Sequence, residues 1–425
     1  MKASELLKKV ECGGLSAYAG IYGDIADQTE RYAAAIRSFI ELYGDDREAY
    51  LFSVPGRTEV LGNHTDHQGG CVLAAAIDRD IIAVASPTDN GVIRVKSEGY
   101  PEDTVRLSDC ADSAAFADFS SASLIAGTVG GFSARGFATG GFDAYTVNRV
   151  LKGSGISSSA AFEVMIGNIM NYLYNDGKIQ NEELAGIAQF AENKYFGKPC
   201  GLMDQMACAV GGFVFIDFAD HANPVIEPIS FSLADAGFVL CILNTGGNHA
   251  DLNADYASVP AEMKRVAAYF GKDVLRGITE AQVIENLPLI RAAAGDRAAL
   301  RALHFIREND RVKATAALLK KGDVEGFLAG VLASGDSSYK YLQNVYTVKN
   351  VEEQGLSLAL ALAEGLLSGR GCAWRIHGGG FAGTIQAFVR KEYAEDYRMV
   401  NDSVFGEGAC MMLAIRPVGA TRIDL

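Results

Sequence analysis

No apolar run in this chain reaches the ~18 residues that a membrane-spanning helix needs. The first segment, Met1 to Glu11, is charged and lacks the apolar core of a secretory signal. Cationic charge is also scarce. The chain carries 38 Lys and Arg against 52 Asp and Glu, a net charge of −14. A general binder of nucleic acid or of anionic membranes needs the opposite balance, so neither partner is expected. A nucleotide is not excluded, because local donors and a metal ion outweigh the global field. No two of the eight cysteines have C-x-x-C spacing, and several sit in apolar runs. They read as buried free thiols in a reducing compartment. Internal repeats and low-complexity segments are absent, as are the Walker Gly-Lys-Ser/Thr loop and the dinucleotide fingerprint. What remains is a globular, cytoplasmic chain of 425 residues, long enough for two domains.

Against that background one stretch stands out, Gly153-Ser154-Gly155-Ile156-Ser157-Ser158-Ser159-Ala160. It follows a strand-like run, Gly140–Val150. It precedes apolar residues at helical spacing: Phe162, Val164, Met165, Ile166, Ile169, Met170 and Leu173. A Gly-Ser turn therefore feeds a helix N-terminus. The first N–H groups of a helix lack partners and the helix dipole is positive there. Glycines allow close approach, and serine hydroxyls add donors or a magnesium ligand, so a polyphosphate fits. An ordinary serine N-cap on a core helix explains the same residues.

The rest of the chain supplies the frame. Helices are expected at Ala3–Val10 and Asp27–Tyr43, and a short strand at Tyr50–Val54 ending at Pro55-Gly56. Separate strands follow at Cys71–Ile77, Ile81–Ser86 and Val92–Lys96. Helices are expected at Ala122–Phe132 and Glu182–Tyr195, and strands at Gly212–Phe218 and Phe238–Leu243. After a polar loop, Asn244–Asp255, helices run to about residue 370, with breaks near Gly271, Gly295, Gly322 and Gly335. Strands at Gly371–Ile376 and Thr384–Val389 flank His377-Gly378-Gly379-Gly380-Phe381-Ala382-Gly383. A helix, Lys391–Val400, and a strand, Cys410–Ile415, close the chain.

Three further stretches carry chemistry. Asp204 lies among Leu202, Met203 and Met206, where a carboxylate needs a partner. Arg57 is one candidate, since a nearby guanidinium keeps an acid ionised; a purely structural ion pair is the alternative. Asn63, His64, Asp66, His67 and Gln68 have no zinc spacing. They suit recognition of sugar hydroxyls, or a polar turn that satisfies its own backbone. The three glycines at 378–380 make either a tight turn or a loop that closes on a ligand. Tyr256 and His304 by themselves read as ordinary helix residues.

Taken in order, these stretches resemble the galactokinase branch of the GHMP small-molecule kinases, from about Phe52 to Ala420. Pro55-Gly56-Arg57 through Gly70 is similar to the family's sugar signature, and Gly153–Ala160 to its phosphate loop. Cys200-Gly201-Leu202-Met203-Asp204-Gln205 is similar to the segment that carries the catalytic aspartate. Gly378–Gly383 resembles the third GHMP motif. Leu303–Asn309 and Arg416-Pro417-Val418-Gly419-Ala420 also look like galactokinase. The resemblance implies an α+β, two-domain GHMP kinase fold. An N-terminal mixed α/β domain would span 1–235. A C-terminal domain over 236–425 would combine helices with a ferredoxin-like α+β part, and the active site would lie in the cleft between them.

It also implies roles. Asp204 would take or attract the proton of a sugar C1 hydroxyl. Arg57 would keep Asp204 ionised and stabilise the phosphoryl group in transfer. Gly153, Ser154, Gly155, Ile156, Ser157, Ser158, Ser159 and Ala160 would hold ATP, and Ser159 with Glu192 would bind Mg²⁺. Asn63, His64, Asp66, Gly201 and Tyr256 would contact the sugar. The implied protein is a monomer or weak dimer that phosphorylates galactose at C1.

The sequence departs from the pattern in three places. The signature usually reads Asn, then Leu-Ile-Gly-Glu-His, whereas here it is Glu59, then Val60-Leu61-Gly62-Asn63-His64. An amide at 63 tolerates a C6 carboxylate that a glutamate would repel. Asp66-His67-Gln68-Gly69-Gly70 also resembles plant galacturonate kinases, so a galacturonate or other C6-modified galactose 1-kinase is the enzymatic alternative. Ala382 stands where galactokinases usually have Gly, and the tryptophan-containing adenine-side segment is not evident near 119–132. The non-enzyme alternative is a ligand-sensing regulator on a dead kinase. The intact phosphate loop, Arg57 and Asp204 weigh against it.

Overall fold

The computed structural model describes residues 1–150, 155–198, 200–247 and 252–425. Residues 151–154, among them the expected phosphate-loop residues Gly153 and Ser154, lie outside the described residues.

The strands, in chain order, are β1 (Tyr50–Leu61), β2 (Cys71–Thr88), β3 (Val92–Ser97), β4 (Glu102–Arg106), β5 (Gly141–Asn148) and β6 (Phe213–Asp217). Then come β7 (Val225–Ile229), β8 (Phe238–Asn244), β9 (Ala373–His377), β10 (Thr384–Arg390), β11 (Cys410–Leu413) and β12 (Thr421–Ile423). They form two sheets. The larger has the order β12-β1-β2-β5-β3-β4, with β6 on β2 and β7 on β6; the smaller is β11-β8-β10-β9. Only the β3–β5 pairing is parallel among these ladders. The sheet built early in the chain thus receives its last strand from the C-terminus.

The larger sheet is buried on both faces, and its strands alternate accordingly. Leu51, Ile82 and Val84 pack against Tyr32, Ile36 and Phe39 of helix Ile25–Tyr43. Phe52, Val54, Ile81 and Ala83 face the opposite way. There they meet Ile125, Val164, Ile187 and their neighbours on helices Ser121–Ala134, Ser158–Tyr174 and Asn181–Ala191. No helix among the described residues is long and apolar enough to cross a membrane. All eight cysteines are free thiols, and all but Cys12 and Cys200 are buried.

Several expected boundaries moved, each for a physical reason. Pro55-Gly56 does not end its strand. β1 runs on to Leu61 with irregularities between Pro55 and Arg57 and between Glu59 and Leu61. The first is a bulge on the partner strand: Pro55 pairs with Asp80 and Arg57 with Ala76, so β2 carries the extra residues and the ladder is interrupted beside the proline. Gly56 is required because a Cβ there would sit 2.8 Å from the Ile156 carbonyl oxygen. The two strands expected at 71–77 and 81–86 are one strand, β2, which bulges at the half-buried Asp78-Arg79 step and is held there by the buried Asp80. Asp80, 1 % exposed, pairs with Arg31 at 2.5 Å and Arg416 at 3.0 Å. Gly335 does not break its helix, Val324–Ser337. It gives the helix room against β9, because a Cβ would lie 2.9 Å from Arg375 Cβ. The helix expected to reach Tyr195 is α-helical to Ala191 and closes with a π turn, Glu192–Phe196. Strands β4, β7 and β12 were not expected; all three are short, and β4 and β7 are partly exposed.

Candidate functional site

Arg57 leaves β1 opposite the bulge in β2 and meets Asp204, in the first turn of helix Met203–Val210. The guanidinium grips the carboxylate with two parallel bonds, Nε to Oδ1 at 2.7 Å and Nη2 to Oδ2 at 2.8 Å. Such fork-to-fork pairs fix orientation as well as charge. Arg57 Nη1 also donates to the Gly155 carbonyl at 2.5 Å, and the Ser157 hydroxyl donates to Asp204 Oδ2. Burial pushes the Asp204 carboxyl up, but the Arg57 charge, the bonds from Arg57 and the Ser157 hydroxyl outweigh it, leaving the group below its ordinary value. Asp204 is an ionised acceptor with 31 % of its side chain exposed, beside a cation of which only 8 % is exposed.

The Gly-Ser turn reaches this pair from the side. Gly155 and Ser157 both have left-handed φ, 72° and 60°. A Cβ on Gly155 would lie 2.9 Å from Thr384 Oγ1, so the turn passes against β10 as closely as a glycine allows. Ile156 is fully buried and its carbonyl accepts the Arg57 backbone N–H at 3.2 Å. Helix Ser158–Tyr174 starts at once, with Ser158 and Ser159 in its first turn and Ala160 buried behind them. The described part of the turn lacks the side-chain bond of an ordinary serine N-cap, because the Ser157 hydroxyl goes to Asp204. It starts a core helix, and it points the start of that helix at a carboxylate–guanidinium pair.

Ser159 and Glu192 are also together, Oγ to Oε1 at 3.3 Å. Glu192 is 2 % exposed and its charge is met by Lys198 at 2.8 Å and by the Gln205 amide at 2.7 Å. Glu163, one turn beyond Ser159, shares the Gln205 amide at 3.2 Å. Its Oε1 is buried without a hydrogen-bond partner, and burial, followed by the nearby Glu192 charge, pushes its carboxyl well up. No group of three or more His, Cys, Asp or Glu that could hold a metal occurs among the described residues. The donor set is one hydroxyl and one carboxylate, with the Lys198 ammonium already drawn to it. That suits a magnesium ion that keeps its waters and shares phosphate oxygens.

The expected sugar contacts divide. Asp66 and Gly201 are adjacent, and with His67, Cys200, Phe218 and His221 they help line a cavity of about 290 Å³. His64 has φ 58° and its Nε2 bonds the Gly379 carbonyl at 2.8 Å. Burial lowers its pKa to about 4, so the ring is neutral at physiological pH. The Tyr256 hydroxyl donates to the Gly380 carbonyl at 2.8 Å, and its ring stands edge-on to Phe381. Asn63 is different. It was expected to face the sugar, but it is fully buried and turned into the protein. Its amide nitrogen donates to Glu59 Oε1 at 2.9 Å and to the Gly378 carbonyl at 2.7 Å. Its amide oxygen accepts from Asn344 at 2.7 Å. His304, read as a helix residue, bonds the Asn63 carbonyl at 3.0 Å from inside the core.

Sequence reasoning missed Lys198, Gln205, His377, Asn344 and Arg375. His377 is buried between Thr384 and the Glu59 N–H. Burial first, then the charges of Arg57 and Arg375, hold it well below its ordinary pKa. Gln205 and Lys198 were within reach of the sequence, since they lie one and six residues from Asp204, and His377 opens the glycine stretch singled out above; Asn344 and Arg375 come from distant segments.

A glycine-edged turn at a helix start, a carboxylate gripped by an arginine and a two-sheet α/β frame together define a small-molecule kinase of the GHMP type. Comparison with known proteins agrees. Residues 123–212 match the GHMP kinase N-terminal domain, and residues 37–87 match the galactokinase galactose-binding signature. The galactokinase of Streptomyces coelicolor is 33% identical over 356 residues, covering 83% of this chain and 87% of that protein. The chain belongs to the galactokinase family. The Lactococcus lactis galactokinase solved with galactose has the same fold, with a TM-score of 0.76 at 23% identity, covering 91% of this chain and 98% of the other. The Methanococcus jannaschii mevalonate kinase shares the fold more loosely, with a TM-score of 0.59 at 14% identity, covering 87% and 98%. The protein is accordingly a sugar kinase that uses ATP.

Proposed function

We propose that the protein transfers the γ-phosphoryl group of ATP to the anomeric C1 hydroxyl of galactose, giving galactose 1-phosphate and ADP. The observation that carries this reading is the two-bond Arg57–Asp204 pair set against the start of helix Ser158–Tyr174. Phosphoryl transfer asks mainly for positioning and charge stabilisation. Asp204, held ionised, accepts the proton of the C1 hydroxyl as its oxygen attacks. Arg57 orients Asp204 and offsets the charge that builds on the transferring group. Ser157 fixes the second carboxylate oxygen. His64, Asp66, Gly201 and Tyr256 orient the sugar, and Gly153 to Ala160 cradle the triphosphate. A Mg²⁺ ion held by Ser159 and Glu192 would neutralise phosphate charge. The units would be residues 1–235 and 236–425, with β12 returning to the first sheet.

A substrate panel with Mg-ATP tests the reading. Galactose is expected to be phosphorylated and galacturonate to be the poorer substrate, because the Asn63 amide that motivated a uronate is already committed to Glu59 and Gly378. No transfer to any galactose-like sugar would sink the proposal. Saturable binding of both ligands without turnover would favour the regulator instead. Replacing Glu192 with glutamine is expected to raise the Mg²⁺ concentration for half-maximal rate by about tenfold or more, the scale seen when a metal site loses a supporting group. An unchanged Mg²⁺ dependence would remove Glu192 from the metal site.

A further inference from the structure

Three consecutive carbonyls, those of Gly378, Gly379 and Gly380, are taken by Asn63, His64 and Tyr256 respectively. Asn344 supports the same turn twice, donating to the Gly379 carbonyl at 3.1 Å and accepting the Phe381 N–H at 2.5 Å. The turn has no slack toward Asn344, since a Cβ on Gly380 would overlap the Asn344 carbonyl. Asn63 is the member that ties this turn, between β9 and β10, to β1 of the other sheet. Both its amide hydrogens are spent on protein groups, and its amide oxygen accepts from Asn344 at 2.7 Å and from the Ser338 hydroxyl at 3.4 Å, so nothing on that side chain is left for a sugar.

Glu59 makes that arrangement work. Its Oε1 accepts from Asn63 at 2.9 Å and lies 3.3 Å from Arg375 Nη2. Arg375 is itself fully buried and donates to the Val60 carbonyl at 2.7 Å. A glutamate at 63 would bring a second buried carboxylate against Glu59 and leave the Gly378 carbonyl without a donor. The two departures from the sugar signature, Glu59 and Asn63, are therefore one coupled change.

We propose that Asn63 and Glu59 form a buried acid–amide clamp that holds the Gly378–Gly380 turn beside His64 and Tyr256, so that Asn63 governs sugar binding by positioning the turn and not by touching the sugar. The proposal rests on the sugar site described under the proposed function. Both are positioning residues.

The test is Asn63→Asp, read in three ways. Deuterium exchange at amides 378–383 of the ligand-free protein is expected to quicken by about tenfold, as a local opening becomes easier. The KM for galactose is expected to rise by about tenfold with kcat changed far less, which marks lost binding in ground and transition state alike. The KM for 6-deoxygalactose should rise by the same factor, because a positioning residue does not sense the C6 hydroxyl. The double variant Glu59→Gln/Asn63→Asp guards against a folding defect. There the amide introduced at position 59 can donate to the carboxylate introduced at position 63, so the melting temperature should return toward that of the unaltered protein. The KM should stay high, since the Gly378 carbonyl still lacks its donor. Unchanged exchange in Asn63→Asp, a KM effect confined to sugars with a C6 hydroxyl, or full recovery of KM in the double variant would each overturn the clamp. If the unaltered protein phosphorylates no sugar, the proposed function falls, while the exchange measurement still judges the clamp.

Discussion

Asp204→Asn is expected to lower kcat by about 10³-fold, within the range a positioned general base supplies. Nucleotide affinity should stay within a few-fold of the unaltered protein. Asparagine keeps the shape of the side chain and can still accept one bond from Arg57, so the fold has little reason to change. It cannot take the hydroxyl proton, and its own N–H groups would face the Arg57 guanidinium. Single-turnover measurement of phosphoryl transfer, together with ADP titration, separates the two effects. Full turnover in the variant would take Asp204 out of the chemistry. A related expectation concerns pH. The folded Asp204 carboxyl lies below its ordinary value because the Arg57 charge and bonds outweigh burial. Loss of rate on acidification through this group should therefore begin below the ordinary carboxylate range, and a limb near neutrality would assign the proton acceptor elsewhere.

Asp80→Ala should produce the largest loss of stability. The carboxylate is 1 % exposed and is shared by Arg31 from helix Ile25–Tyr43, Ser53 from β1 and Arg416 from the closing segment. Removing it strands two guanidinium groups in the interior, which typically costs about 3–5 kcal/mol. Urea unfolding at neutral pH would show this as a lower midpoint at nearly unchanged slope. Burial raises the Asp80 carboxyl, and Arg31 and Arg416 more than reverse the rise, so its folded value lies below the unfolded one. Its contribution is present above the unfolded value and is lost as pH falls through the folded value. The unaltered protein and the variant should therefore converge in acid. A midpoint unchanged at neutral pH would mean that the two arginines are solvated by other means. The kinase chemistry depends on this knot indirectly, since Ser53 and Arg57 share β1.

Much of the site was legible because its chemistry is carried by local segments. A Gly-Ser turn before an amphipathic run can be read from the chain, and so can an acid in an apolar surround. The need of a buried carboxylate for a cation made Arg57 one candidate partner for Asp204, and the resemblance to the family implied the pairing. Strand boundaries were less legible. Pro55-Gly56 ordinarily stops a strand; here β2 bulges opposite the proline, and the glycine makes room for the Ile156 carbonyl. The polar step at 78–80 looked like a turn because Arg31 and Arg416, which neutralise Asp80, lie 49 residues before it and 336 after it.

Asn63 marks the limit most clearly. From the sequence it is a polar residue in a sugar signature, and any such residue reads as one that faces the sugar. Which way it points depends on Glu59 four residues back, but also on Gly378 and Asn344, more than 280 residues ahead. The sequence by itself determined the family, the order of the motifs and the residues with the right chemistry, because those are properties of short segments and of composition. The tertiary structure alone decided which polar groups are left for a ligand and which are used up inside. A buried amide must satisfy every donor and acceptor it has, and its partners are set by how the two sheets come together.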